Sequence, residues 1–407
     1  MKKIIIIGGG ASGMMAAYSA SKSHENQVFL IEKNEKLGKK VYITGKGRCN
    51  LTNDVPISDF FNFVVNNPKF LYSSIYNFSP ENTFNFFESN GLSLKIERGN
   101  RVFPLSDKSS DVIKTLEKAL KNNGVNILLN TCVKELIVEN GAIVGVKTEN
   151  KEIYADSVIV CTGGVSYPLT GSTGDGYVFA KNLGHKIIKP VPSLCGLDVV
   201  DNDIKELQGL SLKNVKLCTY FNQKLVYEDF GEMLFTHFGI SGPIVLSCST
   251  KINRLNLKEI TIKIDLKPAL DPQTLENRII KEISEIPNSL VISLLRKLAP
   301  QSLANVLQKR LGISKTKKCS EITKQERDRL IYLLKNFNLK IKSLRPFSEA
   351  IITSGGIDVK EVNPKTMESK LIKNLYFAGE VLDVDAYTGG FNLQIAFSTG
   401  FTAGENA

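Results

Sequence analysis

A chain of 407 residues is too long for one ordinary core, and a prior of roughly 150 residues per domain points to two or three. Hydrophobic residues at 42% and charged residues at 23% are ordinary globular values and exclude a disordered polymer. The 52 basic against 41 acidic residues leave +11, which favours an anionic partner. No run of like charge marks a tail or stripe, so a generally Lys-rich composition explains the same excess.

Seven scattered cysteines (49, 132, 161, 195, 218, 248, 319) never form a CxxC pair, which argues against a disulfide framework or zinc site and for a reducing compartment. Three separated histidines make a His-based metal site an unsupported expectation as well, so none is assigned. Lys2-Lys3 before four isoleucines imitates a signal peptide, but the apolar run stops at Gly8. No stretch approaches the roughly 18 apolar residues of a membrane span. The chain reads as cytoplasmic.

In chain order, Ile4 to Ile7 is a β-branched run bounded by glycines, the pattern of a buried parallel strand. Ala11 to Ser23 is rich in small helix-compatible residues, and Val28 to Ile31 supplies a second buried strand. Ser79-Pro80 opens a further helix, and residues 109–123 read as an amphipathic helix stopped by Gly124. Short strands follow near 126–129, 133–138, 142–147 and 153–155, and Val158 to Cys161 is another buried strand. Beyond Pro190, Val215 to Tyr227 and Ile260, Ile262, Ile264 and Leu266 alternate with polar residues, as half-buried antiparallel strands do. From Pro272 to about Asn336 the period becomes helical, with a Thr323-x-x-Glu326 capping pattern. After Pro346 the buried-strand and glycine-loop style returns, ending in a helix from about Leu393 to Thr402, so this segment is expected to rejoin the first domain.

Gly8-x-Gly10-x-x-Gly13 lies after a strand and opens a helix, where a dinucleotide fingerprint belongs. Gly8 permits the turn, Gly10 lets the backbone approach a pyrophosphate, and Gly13 allows close helix–strand packing. The helix N-terminus offers free N–H groups and a positive dipole. Glu32 ends the second strand, placed to accept from a ribose 2′-hydroxyl and to repel a 2′-phosphate. Remote segments then separate FAD from NAD. Gly379-Glu380 follows an apolar strand, placing an acid near a ribityl chain. Gly389, Gly390 and Asn392 precede a helix whose N-terminus would favour negative charge on a reduced flavin. An ordinary capped C-terminal helix is the alternative for the second feature.

Several longer motifs make the chain recognisable: GGGASG at 8–13, GKKVYITGKGRCNLTN at 38–53, TGGVSYPLTGSTGDGY at 162–177, GEMLFTHFGISGP at 231–243, TMESK at 366–370 and FAGEVLDVDAYTGGFNLQIAFSTG at 377–400. With these the chain resembles the bacterial aminoacetone-oxidase-type, or BaiN-like, family of NAD(P)/FAD-dependent oxidoreductases over nearly its whole length. The resemblance implies an α/β fold: a doubly wound, glutathione-reductase-like FAD-binding domain (1–190 and 348–407), an inserted β-barrel domain (191–271 and 337–347) and a small helical domain (272–336). It implies that Ala11, Ser12, Glu32, Lys33, Gly38, Lys39 and Lys40 surround the ADP half, with Val133, Thr162 and Gly163. Thr44, Gly45, Arg48, Asn50 and Thr52 would run along the flavin. Glu380, Asn392, Leu393 and Gln394 would hold the ribityl chain and pyrimidine edge.

Three residues are candidates for chemistry. His237 has the side chain best suited to proton transfer, with a satisfied core histidine as the alternative. Tyr167 lies beside a flavin motif, as does Tyr387, and aromatic packing is the simpler role for each. Cys49 sits where dithiol flavoenzymes place a redox pair, but no second cysteine is near; Arg48 could activate it, while packing or flavin contact is the simpler role. Asp383 and Asp385 form a carboxylate pair without further ligands, read as loop acids or flavin-site hydrogen-bonding groups.

The expected reaction passes a hydride from a donor to flavin N5 and on to a second substrate or oxygen, the protein supplying orientation and shielding. A small molecule is expected over the ring between the FAD domain and the insert, since pockets favour domain interfaces. The resemblance hints at amine oxidation or reduction of an enone such as a bile-acid intermediate. No second strand–GxGxxG–helix unit is visible, so NAD(P)H would act as a transient donor. The alternative from another class is an FAD-containing protein that binds RNA or another polyanion, its flavin structural or sensory; net charge is its main support, and no RNA-binding motif is visible.

Overall fold

The structure, a computed structural model, describes residues 1–407. The isoleucine run becomes the central strand, Lys2–Ile7, of a five-stranded parallel sheet. Asn26–Ile31 and then Asn126–Leu128 lie on one side of it; Ser157–Val160 and then Leu375–Phe377 lie on the other. Ile4, Ile5 and Ile6 are fully buried, as a strand covered on both faces requires. Each contributes about 1.5–3 kcal/mol of burial. The outer strand at 375–377 comes from the far end of the sequence, so this sheet is assembled by segments more than two hundred residues apart.

The fingerprint helix spans Ala11–Ala20, shorter than expected, with Ser21 as its C-cap. It packs against the closing helix, Phe391–Asn406, which runs beyond the expected Thr402. Gly400 and Gly404 weaken a helix by about 1 kcal/mol each relative to Ala, and so blur its end in sequence. Their role is contact: a Cβ on Gly400 would lie 2.3 Å from the Ser12 carbonyl oxygen, and one on Gly404 2.2 Å from that of Ala16. The two helices therefore touch backbone to backbone. Pro80–Ser89 starts with a capping box at Ser79, and the amphipathic helix is Ser109–Asn122. Strands Val133–Glu139, Ala142–Thr148 and Glu152–Tyr154 form an antiparallel meander.

The chain divides into two compact units, 1–193 with 347–407, and 194–346. In the second, six strands close into a barrel in the order Leu197–Val199, Gly239–Ser241, Lys224–Phe235, Ser211–Phe221, Ile260–Asp265 and Phe337–Leu344. Leu197–Val199 pairs with both of its neighbours and closes the ring. Ile260, Ile262 and Ile264 point inward in the alternation read from the sequence. Helices Pro272–Glu285, Val291–Leu298, Gln301–Leu311 and Lys324–Lys335 fill the connection between the last two barrel strands, with Thr323 and Glu326 forming the expected capping box. No helix is long and apolar enough to cross a membrane, and no group of three metal-ligating side chains is assembled.

Candidate functional site

The fingerprint glycines divide by what surrounds them. Gly8 adopts φ +105°, and a Cβ there would sit 2.5 Å from the Cys161 carbonyl oxygen. A Cβ on Gly13 would lie 1.8 Å from the carbonyl oxygen of Gly8, so the tight loop exists only because both residues lack side chains. Gly10 differs: its φ is −82°, and nothing lies within 4 Å of where its Cβ would be. No side chain caps the fingerprint helix, leaving its first-turn N–H groups without a side-chain acceptor, with Ala11, Ser12 and Gly13 in that turn.

Glu32 braces this loop. One carboxylate oxygen accepts the Gly9 N–H at 2.7 Å, and the other accepts the Asn34 N–H at 2.8 Å and its side-chain amide at 2.6 Å. Each oxygen has two lone pairs, so the first retains one for a hydroxyl donor. Around it, Lys33 pairs with Asp175 at 2.7 Å, and Lys39 with Glu35 at 3.3 Å. The Gly38 N–H donates to the Gly9 carbonyl at 2.9 Å. Val133 is buried at the start of the meander. Thr162 has a buried hydroxyl with no partner, followed by Gly163 at φ +71°.

A second cluster draws four distant segments together. The Lys40 ammonium donates to Glu380 at 2.6 Å and to the Ser166 hydroxyl at 2.6 Å. Ser166 donates to the other Glu380 oxygen at 3.0 Å, which also accepts the Thr353 N–H at 2.7 Å. The Thr353 hydroxyl accepts the N–H groups of Val165 and Ser166. Gly379 is required here, because a Cβ would lie 2.4 Å from the Ser12 hydroxyl. Lys40, expected near the ADP half, is thus placed with Glu380. Ser166 and Thr353 escaped the sequence reading; Ser166 at least lies inside a quoted motif, while Thr353, in the buried strand Ile352–Ile357, carries no local signal.

The third cluster corrects a role. Gln394 is fully buried, and its side chain is consumed by the protein. Its oxygen accepts from Thr52 at 2.6 Å and Thr83 at 2.8 Å, and its nitrogen donates to the Phe78 carbonyl at 3.0 Å and to Ser398 at 2.9 Å. That amide locks residue 52 onto the closing helix and has no arm left for a pyrimidine edge. The Asn392 side chain likewise clamps residues 386 and 387 through both backbone groups of Ala386 and the Tyr387 carbonyl. With Leu393 beside them, what these positions present is backbone in the helix's first turn, which no side chain caps. Thr44 bonds back to Val41, and Gly45 adopts φ +56°. The Asn50 side-chain oxygen is buried without a partner.

Arg48 is also committed. Its guanidinium lies 2.5 Å from both Glu97 and Asp107 and 4.2 Å over the Phe103 ring. It therefore fastens its loop to the neighbouring hairpin and does not activate Cys49. Burial pushes the Cys49 thiol up to about 12, against a smaller opposing hydrogen bond from Thr44. A neutral thiol buried to 0% exposure packs and is no nucleophile at neutral pH. Tyr167 is half-buried in the left-handed region, at φ +52°, next to Ser166. Burial, with a smaller effect of the Glu349 charge, raises its phenol above the ordinary value and keeps it protonated. His237 lies on the barrel unit, exposed at a turn closed by Thr236 and Gly239, with its ring edge-on to Phe238. Exposure removes the core-histidine reading. Asp385 is fully buried and accepts from Asn66 and Ser354, while Asn67 bonds Asp383.

One further cluster resembles a nucleophile triad. His185 bonds Glu361 at 3.1 Å and Ser369 at 2.9 Å. The Ser369 oxygen, however, accepts the N–H groups of Leu371 and Ile372, and all of the imidazole is buried, so the cluster fastens a turn.

The whole arrangement suits an extended dinucleotide. The open cradle at Gly10, two helix N-termini without side-chain caps, the Glu32 carboxylate and the orphaned Asn50 and Thr162 oxygens are complementary to phosphates, hydroxyls and a heteroaromatic edge. Comparison with known proteins agrees. A family model described as the HI0933-like protein Rossmann domain matches residues 2–406. A 3-dehydro-bile acid delta(4,6)-reductase from Clostridium scindens is 33% identical, covering 100% of this chain and 99% of its own. A ribosomal RNA dihydrouridine synthase from Haemophilus influenzae is 28% identical, covering 98% and 96%. In fold, the chain is similar to 3-ketosteroid delta1-dehydrogenase from Sterolibacterium denitrificans, with TM-score 0.52, 13% identity and 99% of each chain covered.

Proposed function

The chain belongs to the HI0933-like protein Rossmann-domain family and is an FAD-dependent oxidoreductase, and from that premise we propose that it reduces a carbon–carbon double bond conjugated to a carbonyl, with NAD(P)H as donor. The observation that carries this reading is a shared chemistry among full-length relatives. A 3-dehydro-bile acid with double bonds at positions 4 and 6 is a conjugated ketone, and the bond saturated in making dihydrouridine is conjugated to the uracil carbonyl. In the proposed reduction a hydride adds to the far carbon of the conjugated double bond, a proton adds to the carbon nearer the carbonyl, and NAD(P)H is oxidised to NAD(P)+.

FAD, when bound, supplies the two-electron relay between donor and acceptor. We assign its pyrophosphate to the Gly8–Gly13 loop and fingerprint helix, and an adenosine hydroxyl to Glu32. Lys40 and Glu380 are assigned to the ribityl side, and the first turn of the closing helix, at Gly390 to Leu393, to the ring edge through backbone N–H groups. Thr52 and Asn50 lie along the ring. Gln394 acts through Thr52, as a positioning residue. Tyr167 is the proposed proton donor: its phenol stays protonated at neutral pH, and Ser166 ties its loop to the Lys40–Glu380 pair. Seven free cysteines accord with a cytoplasmic location.

The test is an anaerobic titration of the FAD-loaded protein with NADH and NADPH, followed by a cyclic enone. The expected result is bleaching of the flavin band and its return on adding the enone; a flavin that neither nucleotide bleaches, or that no conjugated enone reoxidises, sinks the reading. Tyr167→Phe is expected to slow reoxidation by the enone about 100- to 10,000-fold while leaving bleaching by NAD(P)H unchanged. Wild-type turnover should then stay flat through pH 9, falling only above the ordinary phenol value of 10.0.

The second reading, a polyanion-binding flavoprotein, no longer stands opposed to the first. A relative named for ribosomal RNA joins the two classes, with the conjugated bond carried by an RNA base.

A further inference from the structure

The positive charge is not evenly shared. Residues 194–346 carry 25 Lys and Arg against 16 Asp and Glu, whereas the remaining residues carry 27 against 25. Within the inserted unit the helical segment, 272–336, holds 13 basic and 6 acidic residues, and most of the excess is there. Many of those cations are neutralised: Lys297 by Glu282 and Glu285, Lys309 by Glu206, Arg310 by Asp203, Lys317 by Glu326 and Lys335 by Asp265. Lys315, Lys318, Lys324 and Arg329 are exposed and pair with no carboxylate.

The four lie on the 312–318 loop and on the helix Lys324–Lys335, which the Lys317–Glu326 ion pair joins to it. The Arg329 guanidinium donates to the Leu311 carbonyl at 2.7 Å, which sets it beside the start of the 312–318 loop. That loop is pinned by the Val291 N–H on the Lys317 carbonyl, by the bridge between Leu290 and Lys318, and by the Lys317–Glu326 ion pair. Lys324 opens the helix that carries Arg329. Tyr332, 56% exposed, stands one turn beyond Arg329 on the same face. Glu321 and Asp328 are the acids in the strip left without a basic partner, so the surface stays cationic with one aromatic ring available. Unneutralised cations beside an exposed ring are the groups that meet a phosphodiester backbone and an unstacked base.

We propose that this strip of the helical segment is a docking surface for folded RNA, with Lys315, Lys318, Lys324 and Arg329 contacting phosphates and Tyr332 stacking on a base. The proposal rests on the double-bond-reductase reading in one respect, since it supplies that reading with a uracil-bearing substrate. Its test is separate. The FAD-loaded full chain is titrated by fluorescence anisotropy into a labelled, uracil-rich RNA hairpin between 50 and 200 mM salt.

Wild-type affinity is expected to fall steeply with salt, corresponding to about four phosphate contacts or more. The quadruple charge reversal K315E/K318E/K324E/R329E should weaken binding at least 100-fold and flatten the salt dependence. Tyr332→Ala should weaken it about 10-fold with the salt slope kept. The thermal midpoint and the bound-flavin absorbance serve as the folding control for every variant. Salt-independent binding, a quadruple variant that retains wild-type affinity, or a larger loss from the barrel reversal K213E/K216E/K263E would overturn the proposal. So would equal affinity for heparin, which would make the strip a general polyanion surface. If the enone fails to reoxidise the flavin while RNA binding behaves as expected, the reductase reading alone falls.

Discussion

Two helices in the Rossmann unit begin in the same way, with glycines and no side-chain cap, yet their glycines do different work. Beside Gly10, at the head of the fingerprint helix, the protein leaves open space. At the head of the closing helix, Gly390 adopts φ +102°, and a Cβ there would lie 2.3 Å from the Thr52 carbonyl oxygen. The first glycine serves whatever approaches from outside, and the second lets the chain's own backbone pass. A glycine pair before a helix is therefore one sequence cue with two physical meanings, separated only by what a methyl group would touch.

Substitution by alanine turns this contrast into measurements. The largest effect is expected at Gly13, where the added carbon meets the Gly8 backbone and no flexible side chain can give way. Gly13→Ala should cost about 3 kcal/mol and release FAD, seen as a lower thermal midpoint of the apoprotein and a colourless purified protein. Gly390→Ala combines left-handed backbone strain with contact against Thr52, and a loss of about 2 kcal/mol is expected, again with weakened FAD. Gly10→Ala should separate the two roles. Its apoprotein midpoint should match wild type within about 0.5 kcal/mol. FAD affinity should nevertheless fall at least about tenfold, or about 1.4 kcal/mol, by flavin fluorescence titration. An apoprotein destabilised as much as Gly13→Ala would end the distinction.

The smallest effect belongs to His185, remote in sequence from both loops. Burial lowers its pKa, with Glu361 opposing, so the native state holds it neutral. That stability is fully present above the unfolded value near 6.5 and is lost as pH falls below it, because the unfolded chain binds the proton first. His185→Gln should flatten the decline of the thermal midpoint between about pH 7 and pH 5 without changing FAD affinity.

Much of this was legible in the sequence where the cause is local. The isoleucine strand, the fingerprint loop, Glu32 at the end of its strand, and the Thr323 and Ser79 caps each depend on a few adjacent residues. What escaped depends on tertiary placement. Lys40 and Glu380 are 340 residues apart, and nothing in either neighbourhood announces their ion pair. Gln394 was expected at the ring edge because of its motif, but a buried amide must satisfy all its hydrogen bonds, and Thr52, Thr83, Phe78 and Ser398 consume them. Arg48 was expected along the flavin, with tuning of Cys49 only as an alternative, and two carboxylates beyond the motif hold its guanidinium instead. The charge excess was averaged over the whole chain, although a tally by expected domain would have found it concentrated in the insert.

The backbone contact between the fingerprint and closing helices has a consequence for synthesis. Ser12 and Gly400 are about 390 residues apart, and the outer strand at Leu375–Phe377 is added almost as late. While the ribosome is still working, the Gly8–Gly13 loop has neither the helix that packs behind it nor the last strand of its sheet. The inserted barrel and helices, contiguous from 194 to 346, are complete sooner and can fold while the first unit waits. The isoleucine strand gains its two direct neighbours within the first 160 residues, but the outer strand and the helix behind the loop arrive only at the end. FAD capture is expected to wait for the closing helix, and a chain truncated before Phe391 should purify colourless.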